Sequence, residues 1–534
     1  MPREATSLIR CPAHRRLAWH AGLPVAMPET SAAAKSVSKT AAAEFAIRRF
    51  LASSRRPVLV EPGEPPLEIN AESYLLEWRA GRLIIQAWDK ARTLSRRITG
   101  VQLEKPGRLE LVVERFGKRE GRLLLIDLER TDRAIVEHQS ARWVLRELMR
   151  RALARQWPGW RIAEISAEAN LEESLSPVYP RALLKKGSHG WAALLAPEDA
   201  QAANAALSFG LIWLEYLRRR EPRLAVEGLL LFLPDGHQHA TCLRLAWLDA
   251  ARARFLVYVY TSDGAEDLVD PSDYGNLDTV LEDQRGSRAE YPPLWEALLA
   301  SLAGLPGLET VPHNDGSVGL RVRGLEFARL SGSSVYFGIE KWARAQQSHL
   351  AEIGQLAFEL ARLRRADAAD RANPIYRMQP ERWMEYQVRA QIERVDATLL
   401  PWPLYTQVPA LAGLDRGVLD LLAVDRTGRL AVLELKATQD IQLPLQALDY
   451  WIRVRWHLER GDFTRSGYFP GIALRPDAPR LLLIAPALEF HPTTEIILSF
   501  FRPDIEVERI GLGVEWRKEI QVAFRARGAR PPVP

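Results

Sequence analysis

The chain has 534 residues, which is too many for one hydrophobic core, and this length predicts about two to four domains. Hydrophobic residues make up 47% and charged residues 26%, as in an ordinary soluble globular protein. The net charge of +5 makes nucleic acid a plausible partner without showing one. The two cysteines, Cys11 and Cys242, exclude a disulfide framework and a thiolate zinc site, and no apolar run reaches the roughly 20 residues of a membrane span. We therefore expect a multidomain α+β protein of the reducing cytoplasm.

The N-terminal region predicts a tail followed by a β-rich module. Residues 1–40 are rich in Ala, Ser and Arg without helical periodicity and predict a disordered tail, although an arginine-rich, acid-poor start is also found in transit peptides. The module, residues 41–157, opens with a short helix at 40–52. Strand-like segments separated by turn residues follow, at 58–61, 73–79, 82–88, 98–104, 109–116 and 123–128. A basic amphipathic helix at 138–155 completes it.

Basic and aromatic side chains recur along the strands of this module. They are Trp78, Trp88, Lys90, Arg92, Arg96, Arg97, Arg115, Lys118 and Arg119. Such a mixture suits a surface that contacts nucleic acid through phosphates and stacked bases. The solvated face of an ordinary β-sheet explains it at least as well, so both interpretations stay open.

Residues 158–338 predict a central α/β domain. A helix at 197–220 precedes strands at 226–233, 241–247 and 254–260, and the acidic segment 262–289 predicts a loop. A helix followed by strands also occurs in the C-terminal region, so this domain is at most a degenerate, or an unrelated, copy of that region. His237, His239 and Cys242 could hold a metal, but no fourth ligand has metal-site spacing, which favours a hairpin turn. The sequence has no P-loop, GxSxG or GxGxxG motif, which argues against an ATP-driven motor.

Residues 339–372 predict a helical connector that starts near Trp342, and residues 373–524 predict a C-terminal α/β domain with a mixed sheet. In that domain, further strands are expected at 481–484 and 505–510, with a loop at 461–470 and a helix at 495–500. Residues 525–534 are basic and proline-rich and predict a disordered tail.

A predicted β-hairpin in the C-terminal domain brings two carboxylates together. Apolar strands at 417–424 and 430–436 are joined by a short connection with Gly428 near its end, which suits a type I turn followed by a left-handed glycine. The hairpin then centres on Thr427. Asp420 lies seven residues before this centre and Glu434 seven after it, so the two side chains should face each other. Lys436 shares their face of the sheet.

Two carboxylates and a lysine inside an apolar hairpin are costly unless they serve each other or a cation. One interpretation is a structural salt bridge. The other is a site for Mg²⁺ or Mn²⁺, because converging oxygen ligands suit these ions and a nearby lysine can act on the attacking water. The sequence contains only ten lysines among 72 basic residues, so a lysine on a buried strand favours a specific role for Lys436.

Two predicted helices complete a larger pattern. A helix opening at Pro380 carries Glu381 and Glu385, and a helix over 443–458 carries Gln446 and Tyr450 on one face. In chain order, the pattern is a helix with Glu, a strand with Asp, a strand with Glu-x-Lys and a helix with Gln-x-x-x-Tyr. This pattern resembles the PD-(D/E)XK nuclease superfamily, in particular its RecB-like branch. The resemblance covers about 375–490, roughly a fifth of the chain.

The resemblance implies a restriction-endonuclease-like domain and assigns roles to these positions. The metal ligands would be Asp420, Glu434 and the main-chain carbonyl of Leu435. Lys436 would act on the attacking water, while Gln446 and Tyr450 would support the site or contact DNA. The acid of the first helix would be Glu385, with Glu381 as the alternative. The Pro-Asp pair that gives the family its name is absent, because Leu419 precedes Asp420; many members of the family lack this pair.

The function implied is that of a Mg²⁺- or Mn²⁺-dependent DNA nuclease with N-terminal substrate-selecting modules, acting in DNA repair, recombination or defence. A non-catalytic nucleic-acid-binding or scaffold protein that keeps the nuclease fold is the alternative. DNA is the expected partner, no membrane is expected, and a homodimer or a protein partner stays open.

Overall fold

The computed structural model describes residues 32–61, 67–70, 73–79, 81–88, 93–115, 119–127, 133–261, 265–275, 277, 279–281, 283–284, 291–313, 315–412 and 415–528. The chain divides into two compact units, Met1–Ser140 and Ala141–Pro534. Most of the predicted N-terminal tail, and the end of the predicted C-terminal tail, lie outside the described residues. Helix and strand are both abundant in the described part of the chain, which is a mixed α+β protein.

The first unit is a seven-stranded antiparallel sheet with one long helix packed on it. The helix begins at Ala32, earlier than the predicted residue 40. The elements are α1 (Ala32–Ser53), β1 (Pro57–Val60), β2 (Leu67–Glu68), β3 (Tyr74–Arg79), β4 (Arg82–Trp88), β5 (Thr93–Lys105), β6 (Arg108–Arg115) and β7 (Arg119–Asp127). The sheet order is β2-β1-β7-β6-β5-β4-β3, so the chain forms a meander whose last long strand returns beside β1. The N-terminal region is β-rich, as predicted, but the first unit ends at Ser140, so most of the basic helix predicted at 138–155 belongs to the second unit.

The second unit begins with a six-stranded mixed sheet in the order β13-β12-β11-β10-β9-β8. Its elements are α2 (Arg133–Gln156), β8 (Arg161–Ser166), β9 (Arg181–Lys186), β10 (His189–Leu195), α3 (Ala200–Arg220), β11 (Ala225–Pro234), α4 (His239–Leu245), β12 (Arg254–Tyr260) and β13 (Glu266–Val269). The strand predicted at 241–247 is wrong, because this segment forms α4, the crossover between parallel strands β11 and β12. A short apolar run does not by itself distinguish a strand from a buried helix. The predicted loop at 262–289 contains strand β13.

A five-stranded antiparallel sheet follows that the sequence did not predict. It comprises α5 (Pro293–Ser301), β14 (Leu308–Pro312), β15 (Val318–Val322), β16 (Leu325–Ser331), β17 (Ser334–Phe337), β18 (Ala343–Arg344) and α6 (Leu350–Leu363). The connector predicted at 339–372 is helical in a 3₁₀ turn, Gln347–His349, and in α6, and Trp342 lies outside both. The strands of this sheet are short and are separated by glycine turns, so each has too few alternating apolar and polar residues to be predicted from the sequence.

The C-terminal part of the second unit is another six-stranded mixed sheet, in the order β19-β20-β21-β22-β23-β24. Its elements are α7 (Pro374–Arg377), α8 (Pro380–Ala390), α9 (Ile392–Val395), β19 (Tyr405–Ala412), β20 (Asp415–Val424), β21 (Leu430–Leu435), α10 (Leu443–Glu459), α11 (Asp462–Arg465), β22 (Arg480–Pro486), α12 (Thr494–Leu498), β23 (Val507–Leu512) and β24 (Val522–Arg527). Residues 525–527, predicted as tail, belong to β24. The predicted loop at 461–470 contains the short helix α11.

Both faces of this C-terminal sheet are covered. Helix α8 packs on one face through Trp383 and Val388, and α10 packs on the other through Leu448 and Trp451. Strand β21 is therefore buried on both sides, as its sequence, apolar except for Glu434, indicates. Within the described residues, no helix has both the length and the apolar character that a membrane span requires.

Candidate functional site

The turn between β20 and β21 fixes how the two strands pair. The Asp425 carboxylate accepts hydrogen bonds from the backbone N–H groups of Thr427 and Arg429, at 2.8 and 3.0 Å. Gly428 has a φ of +87°, and an added Cβ would lie 2.2 Å from the carbonyl oxygen of Ala473, so only glycine fits there. This agrees with the turn that the sequence predicts.

The strand register places the two predicted carboxylates opposite each other. Leu421 pairs with Leu433 in the antiparallel ladder, so the register carried one residue further sets Asp420 against Glu434. The neighbouring even-numbered residues Leu422 and Val432 pack on the α10 side, which puts both carboxylates on that face of the sheet. The register thus has its centre at Thr427, as the spacing predicts.

Burial and like charge make both carboxylates hard to ionise. Burial raises the pKa of Asp420 to about 6, and the nearby charge of Glu385 adds to this rise, while a hydrogen bond from the Leu435 N–H, at 3.0 Å, opposes it. Burial, with the adjacent charge of Asp420, also holds the pKa of Glu434 well above its usual value. The Glu434 Oε2 oxygen is buried and has no hydrogen-bond partner among the described residues. A cation would relieve these costs.

Lys436 supplies a positive charge beside Glu434. It follows the last residue of β21, and its Nζ lies 4.0 Å from Glu434 Oε1 and 3.3 Å from Asp440 Oδ2. Burial opposes its protonated form, but the charges of Glu434 and Asp440 outweigh burial and raise its pKa. Lys436 is therefore a protonated donor beside the site at neutral pH.

Helix α8 contributes Glu385. Its side chain is buried, and its carboxylate accepts a 2.7 Å hydrogen bond from Arg382. The charge of Glu385 raises the pKa of Asp420, so the two groups are close enough to interact, whereas Glu381 shows no such influence. Of the two predicted acids of this helix, Glu385 is the one next to the hairpin.

Helix α10 places Gln446 and Tyr450 near the same face. Burial and the charges of Glu434 and Asp420 raise the pKa of the Tyr450 hydroxyl, which stays neutral. The Gln446 Oε1 oxygen is buried without a hydrogen-bond partner in the described part of the chain. The structure thus gathers Asp420, Glu434 and Lys436 with side chains from both flanking helices.

The protein supplies only part of the ligand set of a divalent cation, and water and substrate would supply the rest. The described residues contain no group of three or more His, Cys, Asp or Glu side chains arranged to hold a metal ion. Asp420 and Glu434 are two carboxylates, and the predicted third ligand is the main-chain carbonyl of Leu435. Mg²⁺ is commonly bound by one or two carboxylates with waters and substrate phosphates in its remaining positions. The unpartnered, buried Glu434 oxygen fits such an ion.

Three charged residues around the site were not predicted from the sequence. Asp440 pairs with Lys436, Arg382 pairs with Glu385, and Asp449 adds to the negative potential that raises the pKa of Glu434. The signal for Asp440 was available, because it stands four residues after Lys436. The positions of Arg382 and Asp449 depend on how their helices pack.

Two further sets of candidate residues were named from the sequence, the basic residues of the first unit and the GHQHATC segment. In the first unit, Arg96 forms a two-point ion pair with Glu61, and Arg97 pairs with Glu114, which reduces the charge they offer a phosphate. Lys90, Arg92 and Lys118 lie outside the described residues. Cys242 is buried inside α4, so the GHQHATC segment is a turn and a helix rather than the expected hairpin.

The chain matches no protein family model, no curated protein and no solved structure. The case for a function therefore depends on the geometry and electrostatics of the hairpin and of the helices around it.

Proposed function

We propose that the chain is a Mg²⁺- or Mn²⁺-dependent DNA nuclease whose C-terminal domain has the restriction-endonuclease-like fold of the PD-(D/E)XK superfamily. The observation that carries this proposal is the pairing of Asp420 with Glu434 across the hairpin, beside Lys436. Glu434 is buried and Asp420 is half-buried. Both carboxylates have raised pKa values, and one oxygen of Glu434 has no partner among the described residues. Perturbed groups of this kind cluster at functional sites.

The residues divide into three roles. Asp420 and Glu434, with the Leu435 carbonyl, would hold the cation, which when bound activates water and neutralises phosphate charge. Lys436, protonated and 4.0 Å from Glu434, would orient the attacking water and stabilise negative charge developing on the phosphate. Glu385, Gln446 and Tyr450 would shape the site from the two flanking helices.

The order of elements supports the same proposal. Helix α8 leads into the antiparallel strands β19, β20 and β21, then α10 crosses over to parallel strand β22. A structural ion pair explains less of this arrangement, because Lys436 lies closer to Asp440 than to Glu434 and leaves the second Glu434 oxygen unsatisfied. The N-terminal modules would select the DNA, in repair, recombination or defence.

The test is incubation of purified protein with labelled single-stranded, double-stranded and branched DNA, in Mg²⁺, in Mn²⁺ and in EDTA. We expect cleavage in either metal, none in EDTA, and none by Glu434→Gln, which keeps the side-chain shape but removes the charge. No cleavage of any DNA in either metal would favour the alternative, a binding or scaffold protein with a nuclease-like fold.

A further inference from the structure

The central sheet and the C-terminal sheet of the second unit have the same construction. In both, the first three strands are antiparallel, the third and fourth are parallel, the fourth and fifth are parallel, and the sixth is antiparallel. In both, a long helix links the third strand to the fourth, and a short helix links the fourth to the fifth. Strands β8–β13 with α3 and α4 therefore correspond to β19–β24 with α10 and α12.

Backbone hydrogen bonds align the two sheets residue by residue. Leu435 pairs with Ile484, whose carbonyl accepts a 3.0 Å hydrogen bond from the N–H of Lys436. Leu195 pairs with Phe232, whose carbonyl accepts a 2.9 Å hydrogen bond from the N–H of Ala196. Leu195 thus corresponds to Leu435, and Ala196 to Lys436.

The two copies pack about an approximate twofold axis. Leu248, three residues after the end of α4, forms an antiparallel bridge with Phe501, three residues after the end of α12. The bridge has two matching hydrogen bonds, Asp249 N–H to Phe500 C=O at 2.8 Å and Arg502 N–H to Trp247 C=O at 3.1 Å. Asp249 in the first copy corresponds to Arg502 in the second, and Trp247 corresponds to Phe500. The two hydrogen bonds are therefore equivalent, as a twofold contact requires.

The copies share one hydrophobic core and a buried ion pair. Trp213 of α3 and Trp451 of α10 belong to the same cluster of buried side chains. Arg244 of α4 donates to both carboxylate oxygens of Asp449 in α10, at 2.7 and 2.6 Å, and its side chain is only 1% exposed. The two copies are therefore one packed body.

Only one copy carries the chemistry. In the central copy, the positions of Asp420, Glu434 and Lys436 are occupied by Arg181, Leu194 and Ala196. Arg181 pairs with Leu194 in the ladder, as Asp420 faces Glu434. Arg181 is buried, donates to backbone carbonyl groups and lies over the Trp213 ring. A guanidinium and an aliphatic side chain cannot bind a divalent cation.

We infer that the chain is an internal pseudo-dimer with a single hydrolytic site, which cuts one strand of a DNA duplex per encounter; this inference rests on the proposed function. The two strands of a duplex are themselves related by twofold axes, so coordinated cutting of both needs a site in each half of a twofold protein. Here one half supplies the site and the other half supplies only a non-hydrolytic counterpart. In each event, water adds to one phosphorus atom and one P–O bond breaks, leaving a phosphate end and a hydroxyl end in that strand.

The test is a time course on supercoiled plasmid in excess over full-length protein, in Mg²⁺ and in Mn²⁺. A linear duplex whose two strands carry different labels is assayed in parallel, and Glu434→Gln is the matched control. We expect nicked circles to accumulate before any linear plasmid appears, and no product with Glu434→Gln.

Each other outcome contradicts the inference in a distinguishable way. Linear plasmid that forms in proportion to nicked circles from the earliest times would mean that both strands are cut together. Intact circles with degraded linear duplex would mean that cleavage requires a DNA end. Both outcomes leave the proposed nuclease standing. No metal-dependent cleavage of either DNA would overturn the proposed function and the inference with it.

Discussion

One carboxylate oxygen of Asp420 accepts a 3.0 Å hydrogen bond from the main-chain N–H of Leu435, across the β20–β21 hairpin. This bond ties the acidic side chain to the strand that carries Glu434 and Lys436. It does not compensate for burial, since the pKa of Asp420 stays raised from 3.8 to about 6. The ionised carboxylate of Asp420 therefore lowers the stability of the folded state.

Replacing Asp420 by Asn should stabilise the metal-free protein. A pKa raised by roughly two units corresponds to about 3 kcal/mol of penalty once the folded carboxylate is ionised, so we expect Asp420→Asn to raise the free energy of unfolding by about 1–3 kcal/mol at pH 8. Denaturant titration in EDTA measures this. Asp425→Asn, in the turn that follows the same strand, is the control of opposite sign, because hydrogen bonds in the turn lower the pKa of Asp425. A destabilised Asp420→Asn protein would contradict the account.

The metal should stabilise the protein more at high pH than at low pH. Asp420 binds its proton more tightly in the folded state, so its contribution to stability is present below about pH 4 and is lost as pH rises through about 6. The raised pKa of Glu434 acts in the same direction. Ionised ligands bind a cation best, so the rise in Tm on adding Mn²⁺ should be larger at pH 8 than at pH 5. Equal shifts at both pH values, or an unchanged shift in Asp420→Asn, would count against the site.

The ion pair between Arg244 and Asp449 should matter for stability. Arg244→Ala leaves the Asp449 carboxylate, whose side chain is 15% exposed, without its two-point partner. Loss of one partner of a buried pair typically costs about 3–5 kcal/mol. Arg365→Ala removes an exposed ion pair with Asp367 and should cost less than about 1 kcal/mol. Urea unfolding of both variants measures the difference, and equal stabilities would mean that this pair does not hold the two copies together.

The hairpin could be predicted because its determinants are local. Asp425 and Gly428 specify the turn, the turn specifies the register, and the register places Asp420 opposite Glu434. The helices α8 and α10 were likewise indicated by Pro380 and by regular apolar spacing.

The remaining features depend on tertiary packing. Residues 241–247 form a helix because a crossover between parallel strands is needed there, which no local pattern shows. The sequence left open whether the central domain is a degenerate or an unrelated copy, because the central copy has Arg181 and Leu194 where the C-terminal copy has carboxylates. Asp449 could not be assigned, since its effect on Glu434 follows from the packing of α10.

Replacing Lys436 distinguishes between two hypotheses for the hairpin, a catalytic site and a structural ion pair. The Lys436→Ala change leaves both carboxylates in place, so metal binding should persist while turnover falls by on the order of 10² or more. Lys185→Ala is the matched control, because Lys185 is a partly exposed lysine of strand β9 with a 2.9 Å ion pair to Glu221, outside the site.

The most direct test is to measure DNA cleavage rate and Tm for the parent, Lys436→Ala and Lys185→Ala in Mn²⁺. The account predicts cleavage by the parent and by Lys185→Ala, and a loss of about 10² or more with nearly unchanged Tm for Lys436→Ala. A marked fall in the Tm of Lys436→Ala, with no metal-dependent cleavage by the parent, would contradict it and show that the hairpin carries only a structural ion pair.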